Sequence, residues 1–248
     1  MADNKQKPER SNPLTGNTNT ISRKNFFKYA GASAAGALAV GLYGCGDDNN
    51  PMGPPMSEDA VKLGSGDVGI LNYAYALEQL EAAFYTEVMN TPYSGMTDEE
   101  KQVLEDLRKH EVAHRDFFKA AISRDAGEDA IIPGLTPNFE AIDFSDRTSV
   151  LETAVAFEDL GVSAYNGAGQ LISADGIPYL VQAGKIVSVE ARHAAAVRDL
   201  LNGGASFAGD DIVDPETGLD RFLLPADVLA AAANFIEEEI DASNLPSA

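Results

Sequence analysis

Hydrophobic residues return every three or four positions through most of the chain, and four long stretches carry that period without an internal break. From about Asp67 to Asn90 no proline intervenes, and Leu71, Tyr75, Glu78, Ala82 and Tyr85 fall on one face, which predicts a helix. Thr97-Asp98-Glu99-Glu100 has the form of a capping box, with Thr97 as N-cap and Glu100 three residues on. It opens a second helix running to about Arg124, with Leu104, Leu107, Glu111, His114 and Phe118 on its inner face. A turn-rich stretch from Asp125 to Ser145, with Pro133, Gly134 and Pro137, is too long for a tight hairpin. A third helix follows over roughly Asp146 to Ser173. Pro178 suits a first helical turn, and Gly203-Gly204 ends a fourth helix whose inner face carries Ile186, Glu190, His193, Val197 and Leu200. A shorter amphipathic helix is expected from Pro225 to about Ile240. Two short connections flanking one long one predict an all-α fold, a four-helix bundle with a single long crossover plus a short C-terminal helix.

The halves of this bundle repeat. Ala74-Tyr75-Ala76-Leu77-Glu78-Gln79-Leu80 aligns with Ala154-Val155-Ala156-Phe157-Glu158-Asp159-Leu160, and a tyrosine stands seven residues after each glutamate, Tyr85 and Tyr165. Glu111-Val112-Ala113-His114 aligns with Glu190-Ala191-Arg192-His193. Glutamate and Glu-x-x-His are 33 residues apart in one half and 32 in the other, so each half is a helix pair of nearly equal size.

Glutamate and histidine at i and i+3 share a helical face. Two such helices, with one more glutamate from each of the other two, supply four carboxylates and two imidazoles. Oxygen and nitrogen donors in that ratio suit two adjacent divalent ions, iron or manganese with zinc as a further option, and four negative charges balance two such cations. A single Glu-x-x-His is weak evidence, since most such pairs are solvated. Here two of the three histidines fall in the motif, each on an apolar face. Glu81 reads as a rim carboxylate, with an extra ligand as the alternative. Tyr85 and Tyr165 read as core tyrosines with bonded hydroxyls, with donors to the ligands as the alternative. His110 points about 100° away from Glu111 and reads as a solvated histidine.

These segments resemble the ferritin-like superfamily, and more closely exported bacterial ferritin-like proteins related to desiccation-associated proteins. The resemblance spans about residues 67 to 240 and rests on the stretch from Asn72 to Tyr85, on Glu111 to His114, on Val189 to His193 and, less specifically, on Leu224 to Ala231. It implies that Glu78, Glu111, His114, Glu158, Glu190 and His193 are metal ligands and the catalytic set, with Glu111 and Glu190 as bridges. Ferritin-like sites host several activities. The leading expectation is a ferroxidase- or peroxidase-type dimetal oxidoreductase that oxidises Fe(II) or reduces O2 or H2O2 in metal or oxidative-stress handling. A manganese catalase and a noncatalytic stress or desiccation-related metal scaffold remain as alternatives.

Charge and the amino terminus add a location. The formal net charge is −21, and after position 44 twelve basic residues face 37 acidic ones, so that part carries −25. Such a surface repels phosphate backbones, which disfavours nucleic acid, and attracts cations. Ser22-Arg23-Lys24-Asn25-Phe26-Phe27-Lys28 followed by the small and apolar run Ala30 to Tyr43 reads as an export signal. It resembles a twin-arginine signal in which lysine replaces the second arginine. Leu42-Tyr43-Gly44-Cys45 resembles a bacterial lipobox, so Cys45, the single cysteine, is expected to carry lipid. The resulting organisation is an export signal over 1–44, a lipidated tether over 45–66 and a ferritin-like dimetal domain over 67–248. The expected partners are metal ions, O2 or H2O2 and, through Cys45, a membrane on the periplasmic side of the bacterial envelope; a homodimer is an open option.

Overall fold

A computed structural model describes residues 57–247 except 205 and 210. The export signal and Cys45 lie outside the described residues. Five helices carry the fold: α1 (Gly66–Asn90), α2 (Asp98–Ala126), α3 (Arg147–Ala168), α4 (Ile177–Asn202) and α5 (Pro225–Ala232). The first four are the long helices that the periodicity predicts, and the all-α expectation holds. At the start of α2 both halves of the capping box form. The backbone N–H of Glu100 donates to Thr97 Oγ1 (3.1 Å), and the Thr97 N–H donates to Glu100 Oε2 (2.8 Å). Asp146 caps α3 by accepting the Thr148 N–H (3.0 Å), and α4 has proline in its first turn and ends at the left-handed Gly203.

The end-to-end contacts fix the topology. At one end, Asp67 at the start of α1 accepts hydrogen bonds from Ser173, just past α3. At the other, Arg147 opening α3 donates to Glu100 at the start of α2 (2.6 Å) and to the Leu200 carbonyl near the end of α4 (2.6 Å). Helices α1 and α3 therefore run antiparallel, and α2 and α3 run parallel. The crossover from 127 to 146 must travel the length of the bundle to permit this. Helices α1 and α2 pack as one hairpin and α3 and α4 as the other, with α1 against α3 and α2 against α4 between them.

Almost the whole circumference of α1 is buried, including Asn72, Glu78 and Glu81. The crossover and the two ends of the domain cover the face that a bare bundle would leave wet. Asn72 ties them down: its amide donates to the carbonyls of Leu63 (3.0 Å) and Ala130 (2.8 Å), and its Oδ1 accepts the Ile132 N–H (3.2 Å). The stretch read as tether thus reaches the bundle before residue 66. Leu63 is fully buried, and Val61–Lys62 forms β1, paired in parallel with β2 (Ile240–Asp241).

Two boundaries differ from the sequence reading. The third helix stops at Ala168 and tightens into a 3₁₀ turn over Gly169–Leu171, short of Ser173. The C-terminal helix ends at Ala232 and, after a 3₁₀ turn over Ala233–Phe235, the chain bends without helix through Glu237 and Glu238 to the strand at Ile240. The acidic run Glu237-Glu238-Glu239 gains more outside a helix. The Glu237 N–H donates to the Thr136 carbonyl (2.9 Å), the Glu238 carboxylate accepts from Thr136, and the Glu239 carbonyl accepts the Val61 N–H (2.8 Å). Three adjacent like charges gain nothing from a helical turn in exchange.

The segment before α5 crosses α3 at a glycine. The Leu223 N–H donates to the Ser163 carbonyl (3.0 Å), and a Cβ at Gly167 would lie 1.8 Å from the Leu223 carbonyl oxygen. At Gly184, in α4, a Cβ would meet nothing within 4 Å. Gly167→Ala should therefore destabilise the domain by about 1–3 kcal/mol or more as backbone is forced apart. Gly184→Ala should stabilise it by about 0.5–1 kcal/mol through helix propensity. Chemical denaturation of both variants checks the opposite signs.

Candidate metal centre

Each long helix brings acid or imidazole to the middle of the bundle. Glu78 comes from α1, Glu111 and His114 from α2, Glu158 from α3, Glu190 and His193 from α4. All four glutamates are fully buried. His114 Nδ1 lies 2.8 Å from Glu190 Oε1, 3.3 Å from Glu111 Oε2 and 3.6 Å from Glu78 Oε2. His193 Nδ1 lies 2.7 Å from Glu111 Oε1, 3.4 Å from Glu190 Oε2 and 3.5 Å from Glu158 Oε2. The six side chains thus form two sets of four donors, and within each set the donor atoms lie within 4.8 Å of one another. Glu111 and Glu190 belong to both sets, and each gives one oxygen to one set and its other oxygen to the other.

The cluster's own hydrogen bonding is incomplete. Glu78 Oε2, Glu111 Oε1, Glu158 Oε2, both oxygens of Glu190 and His193 Nδ1 are buried without a hydrogen-bond partner among the described residues, although several sit about 3 Å apart. Their lone pairs converge on shared points between the atoms instead of aligning donor to acceptor. Donors held about 2.1 Å from one ion stand about 3.0–3.4 Å from each other, and the separations here bracket that range. These groups can hold metal ions.

The other oxygen of each unshared glutamate is held by the opposite hairpin. Tyr85 on α1 donates to Glu158 Oε1 on α3 (2.5 Å), and Tyr165 on α3 donates to Glu78 Oε1 on α1. The two tyrosines are core residues with bonded hydroxyls, as expected, and their acceptors are the cluster carboxylates. The exchange is reciprocal because the hairpins repeat. Each hydroxyl holds one oxygen, so the remaining oxygen faces the cluster.

Two neighbours overturn the sequence reading. Glu81 is not a rim residue: it is buried, its Oε2 has no hydrogen-bond partner among the described residues, and it reaches over Gly161, where a Cβ would come 2.9 Å from its Oε1. Gly161 is its counterpart in the repeat, so the space for a fifth carboxylate comes from the side chain missing in the other half. His110 is exposed, yet it is not simply solvated. Its Nδ1 lies 2.9 Å from His193 Nε2. Helical angle places His110 off its own helix's inner face, and only the approach of α4 brings His193 to it. Comparing the halves at 81 against 161 and 110 against 189 would have marked both positions as unequal.

In the absence of an ion the electrostatics are strained. Burial, with the other glutamates, pushes the carboxyls of Glu78 and Glu81 well above their usual range, and burial raises Glu158 to about 8 despite the neighbouring His193. Burial acts on Glu111 in the same direction, but the imidazoles of His114 and His193 beside it outweigh it and hold that carboxyl at about 2. Burial would lower His114, but Glu111, Glu190 and Glu78 around it raise it to about 12. A carboxyl raised in the fold contributes stability that is complete below its unfolded value of about 4.3 and is lost as pH climbs through the folded value. A raised histidine acts in the same direction above about 6.5. Glu111 contributes the reverse, stability lost as pH falls below about 4.3 towards its folded value. With chelator present, the melting midpoint should be highest near pH 5 and fall by pH 8. A midpoint that rises across that interval would contradict this electrostatic account.

A family model described as a ferritin-like domain matches residues 66–203, and no curated protein matches the chain. The matched stretch begins at the first residue of α1 and ends just past α4, so it contains both hairpins, the crossover and all six converging side chains. Four helices joined by one long crossover around a carboxylate and imidazole cluster are the architecture of that family, and the chain belongs to the ferritin-like domain family.

Proposed function

We propose that this protein holds a carboxylate-bridged pair of iron or manganese ions and uses it against O2 or H2O2, as a ferroxidase- or peroxidase-type oxidoreductase. The observation that carries this reading is the split of Glu111 and Glu190, each of which offers one oxygen to either donor set. Glu78 with His114 and Glu158 with His193 would then be the terminal ligands of the two ions. Four carboxylates against two divalent cations leave the centre neutral, which removes the repulsion that burial imposes on the bare cluster. Bound iron or manganese ions, each able to change by one electron, would supply the two electrons that an oxidant such as peroxide takes.

The chain's own residues keep such a centre in place. Tyr85 and Tyr165 orient the terminal carboxylates across the hairpins. Apolar neighbours such as Phe84, Phe118 and Phe157 exclude bulk water from the bundle's middle. The side chain of His114 is 13% exposed where that of His193 is 4%, so of the two imidazoles His114 is the more open to solvent. Zinc fits the same donors and would bind without redox chemistry.

One feature favours a second reading, a metal scaffold without turnover. The groove between α1 and the crossover, lined by residues including Gln79, Thr86, Arg115, Phe139 and Phe144, touches none of the six. A centre that this groove does not reach can serve the fold alone. The amino-terminal sequence adds the proposal that residues 1–44 export the chain and that Cys45 anchors it to the envelope by a lipid. Among the described residues no helix is long and apolar enough to cross a membrane.

Elemental analysis of variants tests the centre. The parent should bind two ions per chain, and Glu111→Ala or Glu190→Ala should lose both or bind fewer than one. Glu81→Ala should stay near two. With Fe(II) loaded anaerobically, O2 or H2O2 should produce a ferric chromophore in the parent and not in the bridge variants. Rapid O2 evolution from H2O2 by a manganese-loaded sample would move the assignment to catalase, and inertness of a fully loaded protein would move it to the scaffold. For the anchor, fractionation of cells should place the parent with membranes and Cys45→Ser in the soluble fraction; a parent that is soluble and unmodified removes the lipid.

A further inference from the structure

The two halves of the duplication agree at all six cluster positions and disagree immediately beside them. His110 precedes Glu111, whereas Val189 precedes Glu190. The pseudo-twofold that exchanges the hairpins therefore relates the contact of His110 with His193 to a place beside His114 filled by valine.

His193 turns Nδ1 to the glutamate oxygens and Nε2 outward, where it meets His110 Nδ1 at 2.9 Å. The ring planes are 12° apart and the centroids 5.1 Å apart. That separation is close to the greatest that a 2.9 Å contact between ring nitrogens permits. The line between the nitrogens therefore runs in the plane of both rings, as a hydrogen bond requires, and the rings do not stack face to face. With Nδ1 turned to the cluster, a neutral His193 carries its proton on Nε2 and donates it to His110 Nδ1. His110 then carries its own proton on Nε2. His114 also turns Nδ1 to the cluster, but among the described residues its Nε2 has no hydrogen-bond partner.

We propose that His110 is a positioning residue for His193 and that it makes the two ion positions unequal, with the His193 position the tighter. The proposal rests on the dimetal reading above. An acceptor on the outer nitrogen selects the tautomer that leaves the Nδ1 lone pair free, fixes the ring's angle to the glutamates and makes the imidazole a stronger donor. The outer edge of His114 has only packing to hold it, and this is the more exposed ring of the two. The His193 position would have four buried donors, whereas the His114 position would have three and one half-buried imidazole, where exchange with solvent is easier.

Cobalt(II) titrated into the metal-free full-length protein, followed by its visible absorption against a competing chelator, reads both affinities without turnover. The parent should take up two equivalents in separate steps. His110→Leu keeps the bulk and removes the acceptor, so the tighter step should weaken by about 10–100-fold. His110→Asn places Oδ1 near the position of the lost Nδ1 and should restore most of that affinity. Val189→His, which supplies the acceptor that His114 lacks, should tighten the weaker step and bring the two together. If the leucine and asparagine variants bind both equivalents like the parent, or lose the tighter step equally, His110 does not position His193. Should the parent itself take up no cobalt, the dimetal reading fails and this inference falls with it.

Discussion

Four glutamates share the centre of a bundle from which water is shut out, with a fifth beside them, and only two imidazoles face them. Their mutual repulsion and loss of hydration are strongly unfavourable, and much of the remaining architecture answers them. Burial alone would protonate the carboxyls, as the raised values of Glu78, Glu81 and Glu158 show, while the imidazoles compensate chiefly at Glu111. A fold that retains such a cluster needs cations in it or another source of stability. The orphaned, convergent lone pairs could hold cations.

Duplication is the economical way to build the cluster. One helical hairpin supplies a lone glutamate, a Glu-x-x-His and a tyrosine; a second copy, turned about, supplies them again. Because each tyrosine reaches the glutamate of the other hairpin, neither copy completes its own site. Docking of the hairpins and assembly of the cluster are thus a single event. The parts outside the duplication then seal it: the crossover and the β1–β2 pair cover α1, and the segment through Leu223 lies directly on Gly167 of α3. Burial of nearly the whole circumference of α1 follows, and with it the low local polarity that gives the carboxylates their strength as donors.

Symmetry is broken where it bears on the cluster. Glu81 occupies room that Gly161 leaves, and His110 backs His193 while valine stands at the matching place. A cluster with matched donors thereby acquires two different surroundings: His193 is backed by a second imidazole, and His114 lies nearer to solvent.

Period, caps and repeat by themselves determined the four long helices, the single crossover and all six converging residues. Each is a local or one-dimensional signal: hydrophobic spacing sets the faces, Thr97 and Glu100 start α2, and Glu-x-x-His at i and i+3 fixes two donors to one side of a helix. The C-terminal segment was misread beyond Ala232 because its backbone partners, Thr136 and Val61, are about a hundred residues or more away in sequence and no local pattern announces them. Glu81 and His110 were misread for the same reason. Helical angle gives the direction in which a side chain leaves its own helix, but which neighbour it meets depends on how closely another helix approaches. Only the tertiary structure brought α4 against His110 and Gly161 under Glu81, and so decided which polar groups leave water and which partners they find.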